Sequence, residues 1–486
     1  MMALNIFKTA TANRYVQNFH YLVLIVFLII ILISFCSYKK EQIFNLFELI
    51  VTYPKLFLIF FQMEISTLDR ICDVPHHVAV VGGGIVGLTM ASALLQQAFR
   101  VTLIDPSELA GRASSATAGI IGGSSVIPWA SNDLWFNIPP MLKNPNGPIR
   151  IKWPIPLKLI PFLAKSIKAG TSKNRRQSSS GLAQLGLGGW DAWVGLSDQF
   201  PALKPFLAQN GCLLYYSNYQ ERLSDLTNNV MRREMGMRII GMETKAVQDM
   251  LPYLSDPEPS GTFVQQAGQI LNPISFQRAL TDIIERGSGA FVHEHALGFI
   301  TDDKTVRSVV TPSGNVDCDS VVICAGAGSA ALVKRLSSHV PILPAWGASV
   351  TFHEPEIRLE LPILLQQSGV AILPNTDGLR VAGLLQVGGQ LNLRDPQLEN
   401  ILIRRVQKLF GNFFYRELTG QFGPRPLTPD SLPVLGHAPK YKNAYFNFGH
   451  GHWGVTHAAI SASVVVDLIV GQKPQIDINP YSAERF

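Results

Sequence analysis

The sequence predicts an α/β protein that contains a parallel sheet and, separately, an antiparallel one. An apolar, β-branched run at residues 78–81 stops at glycines, and a helical pattern follows it. A second apolar run, 101–104, comes one helix length later and ends at Asp105. This order is typical of a parallel βαβ unit whose strands are buried on both faces. Later strand-like runs suit an antiparallel sheet in a second domain, and they lie at residues 348–352, 370–373 and 379–382.

The glycines after the first strand follow the spacing Gly82-x-Gly84-x-x-Gly87. Such glycines permit a tight turn, a close approach of the backbone to a pyrophosphate, and close contact between helix and strand. The helix N-terminus adds free N–H groups and the positive end of a dipole. Asp105, about 20 residues past the glycines, can accept hydrogen bonds from the hydroxyls of an adenosine ribose. The sequence therefore predicts a Rossmann-like dinucleotide site.

Length and composition exclude several classes of protein. A chain of 486 residues is too long for one small core, so we expect two domains and additional segments. The net charge is +6, but the basic residues are scattered except at 173–176, which we interpret as a solvated loop. We therefore expect no nucleic-acid partner. The 5 cysteines show neither a CxxC pattern nor metal-ligand spacing, which favours a reduced, intracellular protein without a metal site.

Residues 1–74 are a candidate membrane anchor. Residues 21–38 contain no charged side chain, and as a helix they would reach roughly 27 Å, marginally enough to cross a bilayer. Basic residues flank this stretch on both sides, so charge does not decide its orientation. Residues 43–61 are interrupted by charged residues and a proline, which is more typical of an interfacial segment. Met63 leaves open an alternative in which residues 1–62 are not translated.

The chain after Asp105 predicts further α/β elements. Residues 112–123 are mostly small, and directly after a βαβ unit such a run is typical of backbone that passes close to a flat ring. Residues 321–324 form a buried strand that ends in small residues, including Gly326. It is either a second nucleotide-side strand or one more ordinary α/β strand. The remaining predictions are irregular structure and helices at 128–205, strand 211–216, helix 224–237, helix 273–286, strand 290–292 and helix 398–410.

The C-terminal region carries two further motifs. The first is the run Arg425-Pro426-Leu427-Thr428-Pro429-Asp430. A strand at 444–448 then leads into Gly449-His450-Gly451-His452-Trp453-Gly454 and a final helix of small residues. A glycine-rich turn between strand and helix directs N–H groups at an electron-rich ring edge, as an anionic flavin requires near its N1 and C2 carbonyl. We expect the two histidines of this turn to pack or to form hydrogen bonds rather than to act as a general base.

The glycine turn, the small-residue run, Pro128-Trp129-Ala130, Gly326 and the two C-terminal motifs occur in an order that resembles the D-amino-acid oxidase superfamily of FAD enzymes. Within it, the chain most closely resembles the bacterial D-amino acid dehydrogenase small subunit. The resemblance extends from about residue 75 to the C-terminus. It implies a Rossmann-like FAD-binding domain and an antiparallel-sheet substrate domain. The implied boundaries are 75–130, 274–340 and 420–486 for the FAD-binding domain and 131–273 and 341–419 for the substrate domain.

The resemblance also implies roles for individual residues. Arg425 would be the catalytic residue that clamps the substrate carboxylate. A planar guanidinium binds a carboxylate bidentately and can fix the adjacent Cα–H over a flavin. A structural arginine before a proline turn remains the alternative. The implied cofactor-binding residues are Val81, Gly82, Gly84, Ile85, Val86, Gly87, Asp105, Ser114, Gly119, Gly326, Gly449, Gly451 and Gly454.

The substrate half departs from the family pattern at several positions, whereas the cofactor half keeps it. Thr117 stands where the dehydrogenases usually have Asn, and Asn272 replaces a common Asp. Ala348 replaces a common Tyr, and Leu384 and Gln386 replace a usual Thr and Glu. A different amine or amino acid is therefore compatible with the sequence.

The resemblance implies oxidative deamination of a D-amino acid or a related carboxylate-bearing amine. A hydride would pass from the α carbon to flavin N5, giving a 2-oxo acid and ammonia. The electron acceptor would be a quinone or another acceptor, and we expect the protein at the cytoplasmic face of a membrane or in the cytoplasm. Two alternatives stay open: a glycine or sarcosine oxidase-like enzyme that uses oxygen, and a non-catalytic, membrane-associated flavin-binding protein.

Overall fold

The computed structural model describes residues 76–107, 112–122, 125–130, 147–152, 160–388 and 395–486. The predicted anchor, the predicted interfacial segment and Met63 lie outside these ranges. Residues Pro75–Phe486 form one compact unit. Within the described ranges, no helix has both the length and the apolar character needed to cross a membrane.

The secondary structure alternates between strands and helices in the first part of this unit and is richer in strands later. The helices are α1 Ile85–Gln96, α2 Arg112–Ser115, α3 Ile160–Ala169, α4 Ser172–Gln199, α5 Tyr219–Ser224, α6 Leu226–Glu234, α7 Thr244–Met250, α8 Pro273–Arg286, α9 Ser329–Arg335, α10 Pro396–Phe410 and α11 Gly454–Ile469. Short 3₁₀ helices lie at Pro201–Phe206, Gly326–Gly328, Asn479–Tyr481 and Ala483–Arg485.

The strands contribute to four sheets. They are β1 His77–Val81, β2 Arg100–Ile104, β3 Ile120–Ile121, β4 Ile149–Lys152, β5 Leu207–Ala208, β6 Cys212–Tyr216, β7 Ile239–Met242, β8 Ser260–Val264, β9 Gly268–Ile270, β10 Ala290–Val292, β11 Gly298–Asp302, β12 Thr305–Thr311, β13 Gly314–Asp317, β14 Ser320–Ile323, β15 Leu343–His353, β16 Ile363–Leu365, β17 Val370–Asn375, β18 Gly378–Gly388, β19 Glu417–Leu427, β20 Val434–His437 and β21 Ala444–Phe448.

A six-stranded sheet has the order β10-β2-β1-β14-β21-β20, and it is parallel except for β20. Both of its faces are buried, because alternate residues of β1 pack in opposite directions. Val78 and Val80 join the core formed with α1, α8 and α11, while Ala79 and Val81 join the core formed with β12 and α9. The prediction of an α/β fold with a parallel sheet is confirmed. The central position of β1, with crossovers to both sides, creates the crevice in which such sheets bind ligands.

A nine-stranded sheet has the order β19-β15-β18-β17-β16-β6-β8-β7, with β4 beside β18. Its strands pair antiparallel except at β16–β6 and β18–β4, so the sheet is mixed rather than purely antiparallel. The amphipathic helix α10 packs on one face through Leu398, Leu402 and Val406. Strand β19 runs across the boundary predicted at residue 420, and the predicted domain limits remain a prediction. Two three-stranded sheets, β11-β12-β13 and β3-β9-β5, complete the fold.

The interpretation of residues 173–176 as a loop is wrong, because they form the first turns of α4. Basic residues oppose the dipole at a helix N-terminus, and the glycines that follow have low helix propensity. Tertiary packing overrides both effects. The helix buries Leu182, Leu185 and Trp193 completely. Its glycines also allow close packing, since a Cβ at Gly189 would lie 2.3 Å from the Thr456 carbonyl oxygen.

The helix predicted at 224–237 is present as α6, Leu226–Glu234, and Asp225 separates it from the short helix α5 before it. The Asp225 carboxylate accepts hydrogen bonds from the Tyr216 hydroxyl and from Arg232, each at 2.7 Å. These contacts tie the break to the buried strand β6.

Candidate active site

The turn between β1 and α1 requires glycine at two positions. Gly82 has a φ of +112°, and a Cβ there would lie 2.5 Å from the Cys324 carbonyl oxygen. A Cβ at Gly87 would lie 1.7 Å from the Gly82 carbonyl oxygen. Gly84 is the extended residue that precedes α1. The turn therefore presents backbone at the carboxyl end of β1, where the first N–H groups of α1 have no partner within the helix.

The other three predicted residues of this turn have side chains in the core. Val81 is 3% exposed and Ile85 is 6% exposed, and Val86 packs against the helix-side core. The Ile85 N–H donates to the Ser114 hydroxyl oxygen at 2.8 Å. Any contact of these three residues with a cofactor would therefore be made through the backbone.

Asp105 follows β2 directly and lies beside the glycine turn. Its Oδ2 accepts a hydrogen bond from the Gly83 N–H at 2.7 Å, and its Oδ1 accepts one from the Ser107 N–H at 2.8 Å. A carboxylate oxygen can accept more than one hydrogen bond. Asp105 thus braces the turn and keeps acceptor capacity for the two hydroxyls of a ribose.

The segment after β2 contributes Ser114 and Gly119. Ser114 lies in α2, is 8% exposed, and reaches the N-terminus of α1 through the bond to Ile85. Gly119 has a φ of +103°, and a Cβ there would lie 2.8 Å from the Ile270 carbonyl oxygen. The Gly119 carbonyl oxygen in turn accepts from the Ile270 N–H at 2.7 Å. Ser114 therefore lies at the glycine turn, while Gly119 lies where β3 meets β9.

The turn between β21 and α11 lies against both the glycine turn and β19. Gly449 and Gly451 have φ values of +80° and +56°. The Gly451 N–H donates to the Pro426 carbonyl oxygen at 3.0 Å. A Cβ at Gly454, the first residue of α11, would lie 3.9 Å from Ile85 Cγ2. Since α1 and α11 follow parallel strands and pack together, their positive ends point to the same place.

Gly326 begins the 3₁₀ turn that follows β14 and has a φ of +54°. This turn packs against β19. The structure thus brings the ends of β1, β2, β14 and β21 together at one edge of the parallel sheet, next to the strand that carries Arg425.

Arg425 lies on β19 and is held by two backbone carbonyls of β18. Its guanidinium donates to the Gly383 carbonyl oxygen at 3.3–3.4 Å and also to that of Leu384. Gly347 leaves the space for it, because a Cβ there would lie within 2.2 Å of Nη1. In the ranges that the structure covers, Arg425 forms no ion pair with a carboxylate. Burial lowers the pKa of Arg425 to about 10, so the side chain stays cationic at neutral pH.

Three histidines surround the C-terminal glycine turn, and all are neutral at physiological pH. Burial lowers the pKa of His450 to about 3 and that of His457 well below its usual value. Desolvation, and secondarily the charge of Arg425, lower the pKa of His452 to about 3, although the residue is exposed at the surface of the site. His450 contacts the Ser461 hydroxyl at 3.2 Å. Such weakly basic rings are unsuited to proton abstraction near pH 7.

The departures in the substrate half place their side chains mostly away from Arg425, although the Leu384 carbonyl contacts its guanidinium. Ala348 and Leu384 belong to the apolar cluster on the α10 side of the nine-stranded sheet. Gln386 is paired with Trp346. The Trp346 ring stacks on Phe422, which packs against that same cluster. Asn272 caps α8 and donates to Asp377 at 2.7 Å, a bond that an aspartate could not make. These substitutions therefore alter the support of the site more than its lining.

The assembled edge fits a flavin dinucleotide. It offers two helix N-termini for anionic groups, an acidic residue for a ribose, and glycine turns through which backbone can approach a flat ring. Across the described residues, His, Cys, Asp and Glu side chains form no group of three that could hold a metal ion. The model of the DAO family, described as FAD dependent oxidoreductase, matches residues 77–468.

The chain belongs to this family. FAD is accordingly its cofactor, and the recognition from sequence is confirmed. The individual roles of the residues toward FAD remain predictions.

Relatives and solved structures are similar to this chain over most of its length. A D-amino-acid oxidase of Bradyrhizobium diazoefficiens is 28% identical over 85% of this chain and 99% of its own length. A D-amino acid dehydrogenase of Rhizobium rhizogenes is 26% identical over 84% and 99%. The crystal structure of glycine oxidase from Geobacillus kaustophilus superposes with a TM-score of 0.65 at 19% identity, covering 85% of this chain and 99% of that one. At that identity the last similarity concerns the fold alone.

One residue beside the site was missed by the sequence analysis. Arg380 on β18 is 2% exposed and donates to the backbone of the α2 segment and to hydroxyls of β15. Only its position in a strand pattern was visible in the sequence, because its partners lie far away along the chain. An arginine in an otherwise apolar strand was the one available signal.

Proposed function

We propose that the protein oxidatively deaminates a D-amino acid, or a related amine that carries a carboxylate, to a 2-oxo acid and ammonia. The family relationship supports FAD-dependent oxidation. The names of the D-amino-acid oxidase and D-amino acid dehydrogenase relatives support the substrate class.

The environment of Arg425 is the observation that carries this proposal. Its guanidinium is anchored by neutral carbonyls rather than by an acid, and no ion pair involves it among the described residues. Unlike Arg380, Arg425 is only partly buried, so a ligand carboxylate could reach it and supply the anionic partner. It lies beside the Gly449–Gly454 turn, which adjoins the glycine turn after β1. A substrate carboxylate bound to Arg425 would complete the charge balance next to the cofactor.

The residues of the chain orient the substrate and keep its environment free of competing bases. Arg425 would hold the carboxylate through two parallel hydrogen bonds, which fixes the neighbouring α carbon. Neutral His452, close to Arg425, adds no positive charge beside the amine of the substrate. Bound FAD would supply the acceptor for the hydride, with its two electrons, that leaves this carbon. The oxidised substrate is an imine, and water hydrolyses it to the oxo acid and ammonia.

The electron acceptor divides the proposal into two versions. A quinone is our first choice, because the chain also resembles the dehydrogenases. The relative named as an oxidase supports oxygen instead. A glycine or sarcosine oxidase-like activity is the corresponding alternative, since Arg425 would bind the carboxylate of those substrates equally well.

We also propose that the protein works at the cytoplasmic face of a membrane. The apolar N-terminal sequence supports this, as does the surface of α3, where Ile160 is 58% exposed and Ile167 is 51% exposed. Intact mass of the native protein would show whether translation starts at Met63. A shortened form that stays in the soluble fraction at low salt would contradict membrane association.

An anaerobic substrate panel tests the proposed reaction. The purified yellow protein is mixed without oxygen with D- and L-amino acids, glycine and sarcosine, and the flavin absorbance is followed. Bleaching by one or more D-amino acids is the expected result. Adding oxygen or a soluble quinone to the bleached protein then identifies the acceptor. A flavin-loaded protein that no carboxylate-bearing amine bleaches would contradict the proposal and favour a non-catalytic flavin protein.

A further inference from the structure

Arg380 is a buried arginine that donates four hydrogen bonds to neutral oxygens. Its Nη2 donates to the Ser115 carbonyl oxygen at 2.5 Å, and its Nε donates to the Thr117 carbonyl oxygen at 2.7 Å. On the other side, Nη2 donates to the Ser349 hydroxyl at 2.8 Å and Nη1 to the Thr351 hydroxyl at 3.2 Å. Burial lowers the pKa of Arg380 to about 10, so it remains charged at neutral pH. One planar group thus joins the segment that runs along the predicted flavin site to strand β15.

The same strand also holds Arg425. Gly383 and Leu384 on β18 supply the carbonyls that accept hydrogen bonds from the Arg425 guanidinium. Leu384 has a φ of +59°, and the pairing of β18 with β15 is irregular between Trp346 and Ala348. This irregularity lets consecutive carbonyls turn towards one guanidinium, which a regular strand does not allow.

Both arginines act on one face of the sheet. On β15, the partners Ser349 and Thr351 alternate with Val350 and Phe352, which belong to the apolar cluster under α10. Gly347, against which Arg425 lies, is on the face of Ser349 and Thr351. Strand β18 therefore contacts the cofactor segment at one point and the carboxylate-binding arginine three to four residues later, roughly 10–14 Å along the strand.

We propose that Arg380 is a positioning residue that sets the placement of the Ser114–Gly119 segment, and with it the flavin, relative to Arg425. The inference rests on the proposed function. Hydride transfer depends steeply on the approach of the reacting atoms, whereas substrate affinity depends mainly on the contact with Arg425. Loss of the Arg380 bridge should therefore slow the chemical step and leave binding almost unchanged.

The test compares Arg380→Lys with Arg405→Lys in the FAD-loaded full chain. Lysine keeps the charge but cannot bond both sides of the bridge in a plane. Arg405 on α10 is a suitable control, because it is a half-buried arginine that also donates to a carbonyl oxygen, that of Ser368. Anaerobic stopped-flow mixing gives the limiting rate of flavin reduction and the substrate Kd separately. We expect Arg380→Lys to lower the limiting rate at least about tenfold with less than about a threefold change in Kd, and Arg405→Lys to change neither.

A milder variant covers the case in which Arg380→Lys does not fold. Ser349→Ala with Thr351→Val removes only the β15 side of the bridge, and we expect a smaller fall in the limiting rate at constant Kd. A limiting rate within twofold of the wild type, in whichever variant is flavin-loaded, would overturn the inference. So would a Kd that rises by the same factor as the limiting rate falls.

A measurement without substrate separates this inference from the proposed function. Visible circular dichroism of the bound flavin reports the asymmetry of its surroundings. We expect Arg380→Lys to change that spectrum and Arg405→Lys to leave it unchanged. If no amino acid reduces the wild type, the proposed reaction is contradicted, and the spectrum still decides Arg380. An unchanged flavin spectrum in the Arg380 variant would then overturn its positioning role.

Discussion

The two halves of the site are built from different parts of the polypeptide. At the edge of the parallel sheet, the site is formed by backbone atoms, and close packing holds their conformation. A Cβ at Gly82 or Gly87 would overlap neighbouring main-chain atoms. On the nine-stranded sheet, the site consists of long side chains, Arg425 and Arg380, which neighbouring carbonyls and hydroxyls hold in place. In the first half, Gly82 and Gly87 leave no room for a side chain. The second can keep its two arginines while the residues around them vary.

This difference explains where the sequence keeps the family pattern and where it does not. The pyrophosphate and the flavin edge of FAD do not change with the substrate, so a fixed backbone cradle suits them. Substrates differ in size and charge, and side chains can be exchanged to suit them without rebuilding a turn. The comparison predicts that substitutions in the cradle abolish cofactor binding, whereas substitutions in the arginine half leave the cofactor bound.

Gly87→Ala should have the largest effect. Its Cβ would lie 1.7 Å from the Gly82 carbonyl oxygen, so the turn must rearrange. We expect loss of bound FAD and a fall in the free energy of unfolding of at least about 3 kcal/mol, measured by urea titration. Gly195→Ala is the matched control, since no atom lies within 4 Å of the added carbon. That variant should be neutral or more stable by up to about 1 kcal/mol. Normal FAD content in Gly87→Ala would refute the rigid cradle.

Arg425→Lys should separate the two halves most clearly. Lysine cannot form the planar pair of hydrogen bonds to a carboxylate, so kcat/KM should fall at least about 100-fold, equivalent to ~3 kcal/mol. The flavin absorbance spectrum should stay as in the wild type, because the cradle is intact. A variant with unchanged kcat/KM on an active substrate would show that the carboxylate binds elsewhere or is absent.

Asp105→Ala should have a smaller effect than either, confined to the cofactor half. The variant loses the proposed ribose contacts and also the acceptor for the Gly83 N–H. We expect FAD to dissociate at least about tenfold more readily, measured by the flavin released on dilution or dialysis, with KM unchanged in FAD-supplemented assays. Ser107→Ala is the control, because it retains the Asp105 carboxylate and the backbone N–H at residue 107 that donates to it. Full flavin retention by Asp105→Ala would remove the ribose assignment.

Ionisable groups of the protein should have the smallest effect, on the pH dependence of kcat/KM. The pKa of His452 is lowered to about 3, so its ring stays neutral as pH rises from 5 to 9 and adds no limb to the profile. Arg425, with a pKa lowered to about 10, stays charged over the same range. The rise of kcat/KM with pH should therefore follow the amine of the substrate, and two substrates of different amine pKa should give displaced profiles. A common limb near pH 6–7 that disappears in His452→Gln would contradict this.

Local sequence determined the cofactor half, which is why it could be predicted. Strand β1, the glycine turn, α1 and β2 are contiguous, and each element constrains the next. The arginine half depends on distant segments, since Arg380 joins Ser115 and Thr117 to Ser349 and Thr351. Residues such as Ala348 and Leu384 looked like substrate contacts in sequence, but strand alternation and an irregular pairing turn them to the α10 side. The start of helix α4 was interpreted as a loop because packing, rather than propensity, stabilises it.

Cofactor capture must come late in the synthesis of this chain. Strand β1 emerges early, but its partner β14 and the next strand, β21, are made much later. At ordinary elongation rates the interval from β1 to α11 is on the order of tens of seconds. During that time an apolar strand edge stays unpaired and available to chaperones or to aggregation. Truncation before α11 should therefore give insoluble apoprotein, and flavin supplied during translation should not rescue it.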